Sequence, residues 1–322
     1  MTKQIALIGF GCVAQGFYQQ LKASKLDISV KYICVKESHK ERDAPAALIT
    51  TNLQAVLEDP ALDMIVELIS DDQVAYDIAI DCLTKKKPLI SASKKMIAEH
   101  LQELLDLQES PYYYEGAVAG SIPIIQTSNQ YYSDQEITSV RGILNGSSNY
   151  ILTQLFRQNT SLEKALSEAQ QKGFAEKDPA LDISGRDAAH KLSILSFHLF
   201  GQYIEPLHIQ TEHLDMLDPL EISDAKKAGN KIKQIATLVR SKTRLIAQVA
   251  LTEITPEDPL FFVDDEYNAI QINTSNIGQQ LLYGKGAGSF PTGAAVLNDL
   301  KSWMAMEQAS KSAGTLNGLA TY

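Results

Sequence analysis

The sequence predicts an α/β fold in which an N-terminal doubly wound parallel sheet is followed by an α+β domain with a mixed sheet. One observation is a short apolar strand, Ile5 to Ile8, that runs directly into a glycine-rich turn and a helix. Another is the alternation of apolar strands with helices up to Val118, which is typical of parallel sheets. The third is the break at Ala119-Gly120-Ser121-Ile122-Pro123, after which this pattern changes.

Apolar runs predict the strands of the first half, and amphipathic segments bounded by capping residues, Gly or Pro predict its helices. After a first helix that runs to about Ser24, the predicted strands are Val30 to Val35, Met64 to Ile69, Leu89 to Ala92 and Tyr112 to Val118. The predicted helices are Asn52 to Glu58, Asp72 to Thr84 and Met96 to Leu107.

The second half, which we separate near Gln130, combines helices with a mixed or antiparallel sheet. Its predicted strands are Ser139 to Leu144, Arg244 to Leu251, Phe261 to Val263 and Ala269 to Thr274. A buried helix ends at Gly201, and a final helix through Leu300 follows the turn Gly284-Lys285-Gly286-Ala287-Gly288. That turn is either a second anion site at a helix start or simply a tight loop.

Composition excludes several classes of partner. The 322 residues contain 29 Lys and Arg against 39 Asp and Glu, a net charge of −10, which argues against nucleic acid and anionic membranes. The three cysteines, Cys12, Cys34 and Cys82, have no C-x-x-C spacing, so we expect a reduced, cytoplasmic protein without a zinc site. The N-terminal apolar run is too short for a signal peptide, and no segment approaches the ~18 apolar residues of a membrane span.

The first turn carries a dinucleotide-binding fingerprint, G-x-G-x-x-A, from Gly9 through Cys12 and Val13 to Ala14. Gly9 allows a tight turn, Gly11 lets the backbone approach a pyrophosphate, and the small Ala14 lets the helix pack closely on the strand. The alternative is a glycine-rich turn in some other α/β protein. The strand, turn and helix context favours the fingerprint.

Residues at the carboxyl ends of other strands are candidate ligand contacts, because ligands bind there in doubly wound sheets. Lys36-Glu37 follows the second strand, where an acid would bind the ribose of NAD and a base would accommodate the 2′-phosphate of NADP. Both cofactors stay open, with NADP favoured. Ser70 and the run Ser91 to Lys94 lie at two further strand ends, although Lys94 taken singly is an ordinary solvated residue.

The stretch GFAEKDPALDISGRDAAHK carries four ionisable residues beside an apolar helix: Glu176, Asp182, Asp187 and Lys191. If Ser184 caps the helix, Asp187 and Lys191 project from the same face, four residues apart. An exposed pair of this kind would contribute only ~0.2–0.5 kcal/mol. Several acids around one lysine in apolar surroundings are better explained by a proton-transfer site.

Five motifs together resemble the homoserine dehydrogenase family: GFGCVAQG, EGAVAGSIPII, RGILNGSSNYIL, GFAEKDPALDISGRDAAHK and GKGAGSFPTGAAV. The likeness runs from Ile5 to Asp299, and the third and fourth motifs are specific to that family. It implies reversible NAD(P)-linked interconversion of L-homoserine and L-aspartate 4-semialdehyde, in threonine, methionine and isoleucine biosynthesis. It also implies an NAD(P)-binding Rossmann domain over 1–130, with a helix at about 291–310 packing back on it, and a substrate-binding, catalytic and dimerisation domain over 131–290.

The resemblance implies roles for single residues. The catalytic residues would be Lys191, Asp187 and Lys94: Lys191 would be the general acid/base, and Lys94 would touch both cofactor and substrate. The substrate would be bound by Gly173, Glu176, Asp182 and Asp187. The cofactor, NADP or NAD, would contact Gly9, Gly11, Cys12, Val13, Ala14, Lys36, Ser70, Ser91, Lys94 and Gly288. A monovalent cation, usually sodium, would be held largely by carbonyl oxygens of Glu115, Val118, Gly120 and Ile122.

Three features depart from many family members. Ser70-Asp71 stands in place of Gly-Gly, and Ser91-Ala92-Ser93 in place of Thr-Ala-Asn or Thr-Pro-Asn, so cofactor affinity and substrate choice stay open. We also expect the protein to lack the regulatory ACT domain that many relatives carry, and we expect no threonine inhibition through such a domain. The alternatives to an active homodimeric enzyme are a paralogue acting on a related semialdehyde and a non-catalytic NAD(P)-binding sensor. The complete set of ionisable residues favours the active enzyme.

Overall fold

Two β-sheets, each in its own compact unit, organise the chain. The computed structural model describes residues 2–158 and 160–319, and within them twelve strands form two sheets of six. The first unit comprises the described parts of Met1–Ser93, Glu103–Gly116 and Gly288–Tyr322. The second comprises Lys94–Gln102 and Ala117–Ala287. The domain ranges 1–130 and 131–290 stay a prediction.

The first sheet is entirely parallel. Its strands are β1 (Lys3–Ile8), β2 (Ile28–Cys34), β3 (Ile49–Thr50), β4 (Met64–Glu67), β5 (Leu89–Ser91) and β6 (Tyr112–Tyr113). The helices of this half are α1 (Cys12–Ala23), α2 (Leu53–Glu58), α3 (Asp72–Thr84) and α4 (Lys94–Asp106). The strand order β3-β2-β1-β4-β5-β6 is doubly wound, so β1 lies centrally with β2 and β4 on its two sides.

The second sheet is mixed, with only β8 and β10 parallel among its paired strands in the described residues. The elements of this half are α5 (Ile124–Tyr131), β7 (Ile137–Ile143), α6 (Gly146–Gln158), α7 (Leu162–Gln171), α8 (Ala180–Ile183), α9 (Arg186–Phe200), β8 (Gln210–Thr211), α10 (Pro219–Ala228), β9 (Lys231–Arg240), β10 (Leu245–Ile254), β11 (Tyr267–Thr274) and β12 (Gly278–Lys285). The strand order is β12-β11-β7-β9-β10-β8. The predicted α/β class, with a parallel sheet followed by a mixed one, is confirmed.

The core of the first unit is built from both ends of the chain. Ile5 and Leu7 of β1 are fully buried, because a parallel sheet is covered on both faces. The last helix, α11 (Ser289–Leu319), packs against α1. It contributes Leu300 and Trp303 to the same apolar cluster as Phe17 of α1. The fingerprint turn therefore connects the buried strand β1 to the helix α1, which is packed against α11.

Several element predictions are wrong in instructive ways. The predicted strand Tyr112 to Val118 stops at Tyr113, because the amide of Glu115 donates to Asp299 Oδ2 (3.0 Å) instead of to a neighbouring strand. The predicted strand Phe261 to Val263 is a 3-10 turn, capped by Asp258 with Pro259 at its first position. The strands β3, β8, β9 and β12 and the helix α10 were not predicted.

Candidate active site

The helix α9 places Asp187 and Lys191 together inside the second unit. It begins at Arg186 and not after Ser184, because Gly185 adopts a left-handed conformation (φ 73°) and serves as the N-cap. Asp187 lies in the first turn and Lys191 one turn later, so both side chains project from the same face. Both are buried, with side-chain exposures of 5% and 7%.

Two lysines meet the Asp187 carboxylate from different elements. Lys191 Nζ lies 2.8 Å from Asp187 Oδ2, and Lys94 Nζ, from the first residue of α4, donates to Oδ1. Lys191 Nζ also donates to the carbonyl oxygen of Leu144 (2.6 Å), just after β7. Lys94 is only partly buried, with 37% of its side chain exposed. The cluster therefore has one deeply buried lysine and one whose side chain is partly exposed.

The surroundings shift the proton affinities of these groups in different directions. Burial would raise the pKa of Asp187, but the charges of Lys191 and Lys94 hold it well below its ordinary value. Burial, together with the positive charge of Lys94, lowers the pKa of Lys191, although Asp187 opposes this. Burial also acts to lower the pKa of Lys94, but Asp187 outweighs it and leaves that pKa raised. Of the two lysines, Lys191 is thus the one that releases a proton more easily.

An asparagine that sequence reasoning assigned no role connects the acids. Asn145 Nδ2 donates to Asp182 Oδ1 (2.7 Å) and to Asp187 Oδ2 (2.8 Å). Its own Oδ1 accepts from the amide of Ser148 (2.7 Å), which fixes the side chain at the start of α6. Burial raises the pKa of Asp182, and the Asn145 bond works against this rise. Its position directly after a predicted strand was the signal available in the sequence.

A second missed asparagine, Asn268 of β11, lies behind the lysine. It is fully buried, and its Nδ2 donates to the Leu144 carbonyl (3.0 Å), which is also the acceptor for Lys191. Its amide group fills the space where a side chain at Gly286 would stand. The packing of Asn268 against Gly286 thus explains why this position of the GKGAG motif is a glycine.

The remaining predicted substrate residues lie in the loop before α8. Gly173 ends the turn after α7, with its amide bonded to the Gln170 carbonyl (3.0 Å), and is exposed. Glu176 is also exposed. The negative charges of Asp182 and Glu176 both contribute to the raised pKa of Lys94. The structure therefore brings Lys94, Asp182, Asp187 and Lys191 together and places Glu176 within electrostatic range of Lys94.

The fingerprint residues occupy the carboxyl end of β1 in the first unit. Gly9 has φ 93°, and a Cβ there would stand 2.5 Å from the Leu68 carbonyl oxygen. Gly11 is the N-cap of α1, and no atom lies within 4 Å of the position of its missing Cβ. Cys12 is exposed, Val13 is half-buried and Ala14 is fully buried against the core. This open backbone at a helix start fits a nucleotide pyrophosphate.

The other predicted cofactor residues divide into exposed and buried groups. Lys36 is exposed and forms an ion pair with Asp71 (2.9 Å). Ser70, the residue before Asp71, is also exposed. Ser91 is fully buried, and its hydroxyl donates to the carboxylate of Glu67 on β4. Gly288 directly precedes α11. Burial raises the pKa of Glu67, a residue that sequence reasoning passed over.

The four predicted cation-binding residues fall into two groups. Glu115 is buried in the first unit, whereas Val118, Gly120 and Ile122 are buried in the second. Among residues 2–158 and 160–319, no cluster of three or more His, Cys, Asp or Glu side chains could hold a metal ion. In the same residues, every helix is too short or too polar to cross a membrane.

Comparison with known proteins gives consistent results. The sequence matches the homoserine dehydrogenase family over residues 123–300 and the homoserine dehydrogenase NAD-binding domain over residues 9–114. Homoserine dehydrogenase of Bacillus subtilis is 32% identical over 314 residues, covering 94% of this chain and 72% of that protein. The Helicobacter pylori enzyme is 34% identical over 326 residues, covering 98% of this chain and 76% of that protein.

Solved structures agree with these matches. The homoserine dehydrogenase of Thiobacillus denitrificans has a TM-score of 0.89 at 32% identity, covering 92% of this chain and 72% of that one. A hyperthermophilic archaeal homoserine dehydrogenase, solved as a mutant with NADPH, shares the fold with a TM-score of 0.78 at 22% identity.

Proposed function

The chain belongs to the homoserine dehydrogenase family, and we propose that Lys191 is the general acid/base of its reaction. The enzyme is an NAD(P)-dependent oxidoreductase that interconverts L-homoserine and L-aspartate 4-semialdehyde. The observation that carries the proposal is the buried ion pair of Lys191 and Asp187, with Lys94 on the second carboxylate oxygen. Neither an isolated surface pair nor a purely apolar helix would bring two lysines to one buried carboxylate.

The reaction needs a group that handles one proton. The bound nicotinamide cofactor supplies or accepts the hydride. When the aldehyde carbon gains a hydride, negative charge develops on its oxygen, and a positioned ammonium group stabilises that oxygen and donates a proton. This contribution is typically ~10²–10⁴-fold in rate. In the direction of homoserine oxidation, the neutral amine of Lys191 takes the proton from the hydroxyl group.

The neighbours of Lys191 support both halves of this cycle. Its pKa is lowered by burial and by Lys94, so the neutral form that homoserine oxidation needs is reached at a lower pH than in a free lysine. Asp187 and the Leu144 carbonyl accept hydrogen bonds from Nζ and fix its direction. Lys94 balances the charge of Asp187 when Lys191 is neutral.

The acids of the α8 region would bind the substrate through its ammonium group. Asp182 is held by Asn145, and Glu176 is exposed within electrostatic range of Lys94. Carboxylates in these positions would complement the positive charge of L-homoserine. The test is the homoserine KM of Glu176→Gln, which should rise while kcat changes less; an unchanged KM would remove Glu176 from this role.

We place the cofactor on the first unit, with NADP favoured over NAD. The open position at Gly11 and the helix start behind it fit a pyrophosphate, and Lys36 offers a positive charge at the strand end where the ribose lies in this fold. The ratio of kcat/KM for NADP and NAD measures the cofactor preference.

Free cysteines, with Cys34 and Cys82 buried, support a cytoplasmic enzyme.

A monovalent cation, sodium by preference, would be held within the second unit by carbonyl oxygens of Val118, Gly120 and Ile122. Oxygen donors suit a hard cation, and these residues form a buried turn. The protein should therefore melt at a higher temperature in sodium chloride than in choline chloride at equal ionic strength. Equal melting temperatures would argue against the site.

A homodimer would form through one face of the mixed sheet. The strand register places four exposed apolar side chains on the same face: Val239, Ile246, Leu281 and Tyr283. The sheet is also contacted by two helices, α6 and α9, which both pack against β9. Light scattering should give twice the chain mass of 35.4 kDa, and Leu281→Lys with Tyr283→Lys should give a monomer. A monomeric unaltered protein would contradict the proposal.

The experiment that tests the function is the initial rate of NADP and NAD reduction with L-homoserine at alkaline pH. A clear rate that Lys191→Met abolishes is the expected result. Binding of either cofactor without any homoserine-dependent rate would contradict the assignment.

A further inference from the structure

Lys36 and Asp71 meet at the carboxyl edge of the parallel sheet. Lys36 follows β2, and Asp71 directly precedes α3, which comes after β4. Their Nζ and Oδ2 atoms are 2.9 Å apart. Because β2 and β4 lie on opposite sides of β1, their ends are separated by about 10 Å. The Lys36–Asp71 pair therefore links the loops that follow β2 and β4, the two neighbours of β1.

The acid of this pair is fixed more firmly than the base. Asp71 is the N-cap of α3, and its Oδ1 accepts from the amide of Val74 (3.3 Å). The positive end of the helix also favours its charge. Lys36 lowers the pKa of Asp71, so the carboxylate is ionised at neutral pH. The Lys36 side chain is 77% exposed and that of Asp71 40%, so the lysine is the partner with freedom to move.

The second charged residue after β2 is directed elsewhere. Glu37 pairs with Lys40 (3.1 Å) inside its own loop. In this class of fold, the residue after the second strand meets the ribose of the nucleotide, and its charge distinguishes a 2′-hydroxyl from a 2′-phosphate. The net charge near the ribose therefore depends on Lys36 and on Asp71, which forms an ion pair with it.

Resting on the proposed NAD(P)-linked function, we propose that Asp71 is a specificity-determining residue that weakens the binding of nucleotides with a 2′-phosphate. It does so because it holds Lys36 and keeps a negative charge beside the place that the phosphate must take. An incoming phosphate displaces the carboxylate from Lys36 or shares the ammonium group with it. A nucleotide with a free 2′-hydroxyl carries no such charge and is little affected.

The test measures dissociation constants by calorimetry, without turnover, for NADP⁺, NAD⁺, adenosine 2′,5′-bisphosphate and AMP. Asp71→Asn removes the charge and keeps a good N-cap. We expect NADP⁺ and the bisphosphate to bind about three- to tenfold more tightly, and NAD⁺ and AMP to change less than about twofold. The gain should shrink at high salt, because both groups are exposed.

Two variants isolate the mechanism. Asp81→Asn removes a charge from the same helix, where Asp81 pairs with Lys85 (2.6 Å), and should leave all four constants unchanged. Lys36→Met should weaken the 2′-phosphate ligands, and adding Asp71→Asn to it should give a smaller gain than in the unaltered protein. Equal changes for both ligand classes, or a full gain without Lys36, would overturn the proposal. A protein that binds the nucleotides but never oxidises homoserine would instead count against the proposed function alone.

Discussion

Lys191, the proposed general acid/base, is the residue on which we expect the chemistry to depend most directly. Lys191→Met keeps most of the side-chain volume and leaves Asp187 paired with Lys94, so the fold should survive. We expect kcat to fall by at least about 100-fold, because the proton donor is lost. Calorimetry should give a dissociation constant for NADP⁺ within about twofold of the original, because we place the cofactor on the first unit.

The control for this substitution is Lys227→Met. Lys227 is exposed and pairs with Asp224 (2.7 Å) on the surface of α10, so its loss should leave kcat unchanged. A Lys191→Met enzyme that keeps more than about a tenth of the original kcat would show that another group transfers the proton.

The pH dependence reports the electrostatics of the same pair. In the proposed mechanism homoserine oxidation needs neutral Lys191, so kcat should rise with pH and level off above the pKa of this lysine. That pKa lies below the ~10.4 of a free lysine, because burial and Lys94 lower it. Lys94→Met removes a positive neighbour and should move the midpoint to higher pH, whereas Lys94→Arg should move it less. A midpoint that Lys94→Met leaves in place would contradict the proposed coupling.

Single residues differ in how far the sequence could reveal them. Asp187 and Lys191 could be predicted as neighbours because a helix fixes their spacing, and the apolar run around them predicts their burial. For Asn145 the sequence revealed only its position after a predicted strand and not its role, because that role depends on Asp182 and Asp187, which lie about forty positions further along the chain. A neutral amide also gives no charge pattern. Its contacts exist only after β7, α6 and α9 have packed.

At the level of elements, the start of α9 determines the position of Asp187 and Lys191, the proposed catalytic pair. Gly185 has φ 73°, and a Cβ there would lie 3.2 Å from Val249 Cγ1 and 3.0 Å from Gln234 Nε2. Gly185→Ala should lower the free energy of unfolding by about 1–3 kcal/mol, from backbone strain and crowding. It should also lower kcat, because Asp187 follows two residues later. Urea unfolding and initial rates measure the two effects.

The other end of the same helix offers a matched control. Gly201 also has a positive φ (65°), but no atom lies within 4 Å of its missing Cβ. Gly201→Ala should cost about 1–2 kcal/mol from the backbone alone and leave kcat unchanged. If both variants lost activity equally, the geometry at the start of α9 would not be what positions the pair.

Elements were predictable where their signal is local. Most strands of the parallel sheet, such as β1, β4 and β5, are short apolar runs because both of their faces are buried, and they were found, whereas the two-residue strand β3 was missed. In contrast, β9 was missed because it contains Lys231 and Lys233, which read as surface residues. Lys233 is fully buried, and its Nζ is paired with Asp264 (2.8 Å), thirty-one positions away. Burial lowers the pKa of Lys233 to about 8. An ion pair between residues so far apart in the chain cannot be recognised from the local sequence pattern.

For the whole molecule, the assignment of the cofactor to the first unit can be tested with the single tryptophan. Trp303 of α11 is buried in the same cluster as Phe17 of α1, so its fluorescence reports unfolding of that unit. NADP⁺ at a hundred times its dissociation constant should stabilise the transition of the unaltered protein by about 2.7 kcal/mol.

Gly11→Asp separates the fold of the first unit from its ligand. The new side chain meets no atom within 4 Å at its Cβ, and aspartate is a better N-cap than glycine, so the unliganded midpoint should stay or rise. The added charge faces the position of the pyrophosphate, so NADP⁺ should no longer shift the Trp303 transition. A variant that NADP⁺ stabilises as much as the unaltered protein would place the pyrophosphate away from Gly11. A variant unfolded without ligand would instead show that this position is needed for the fold, against the open space around it.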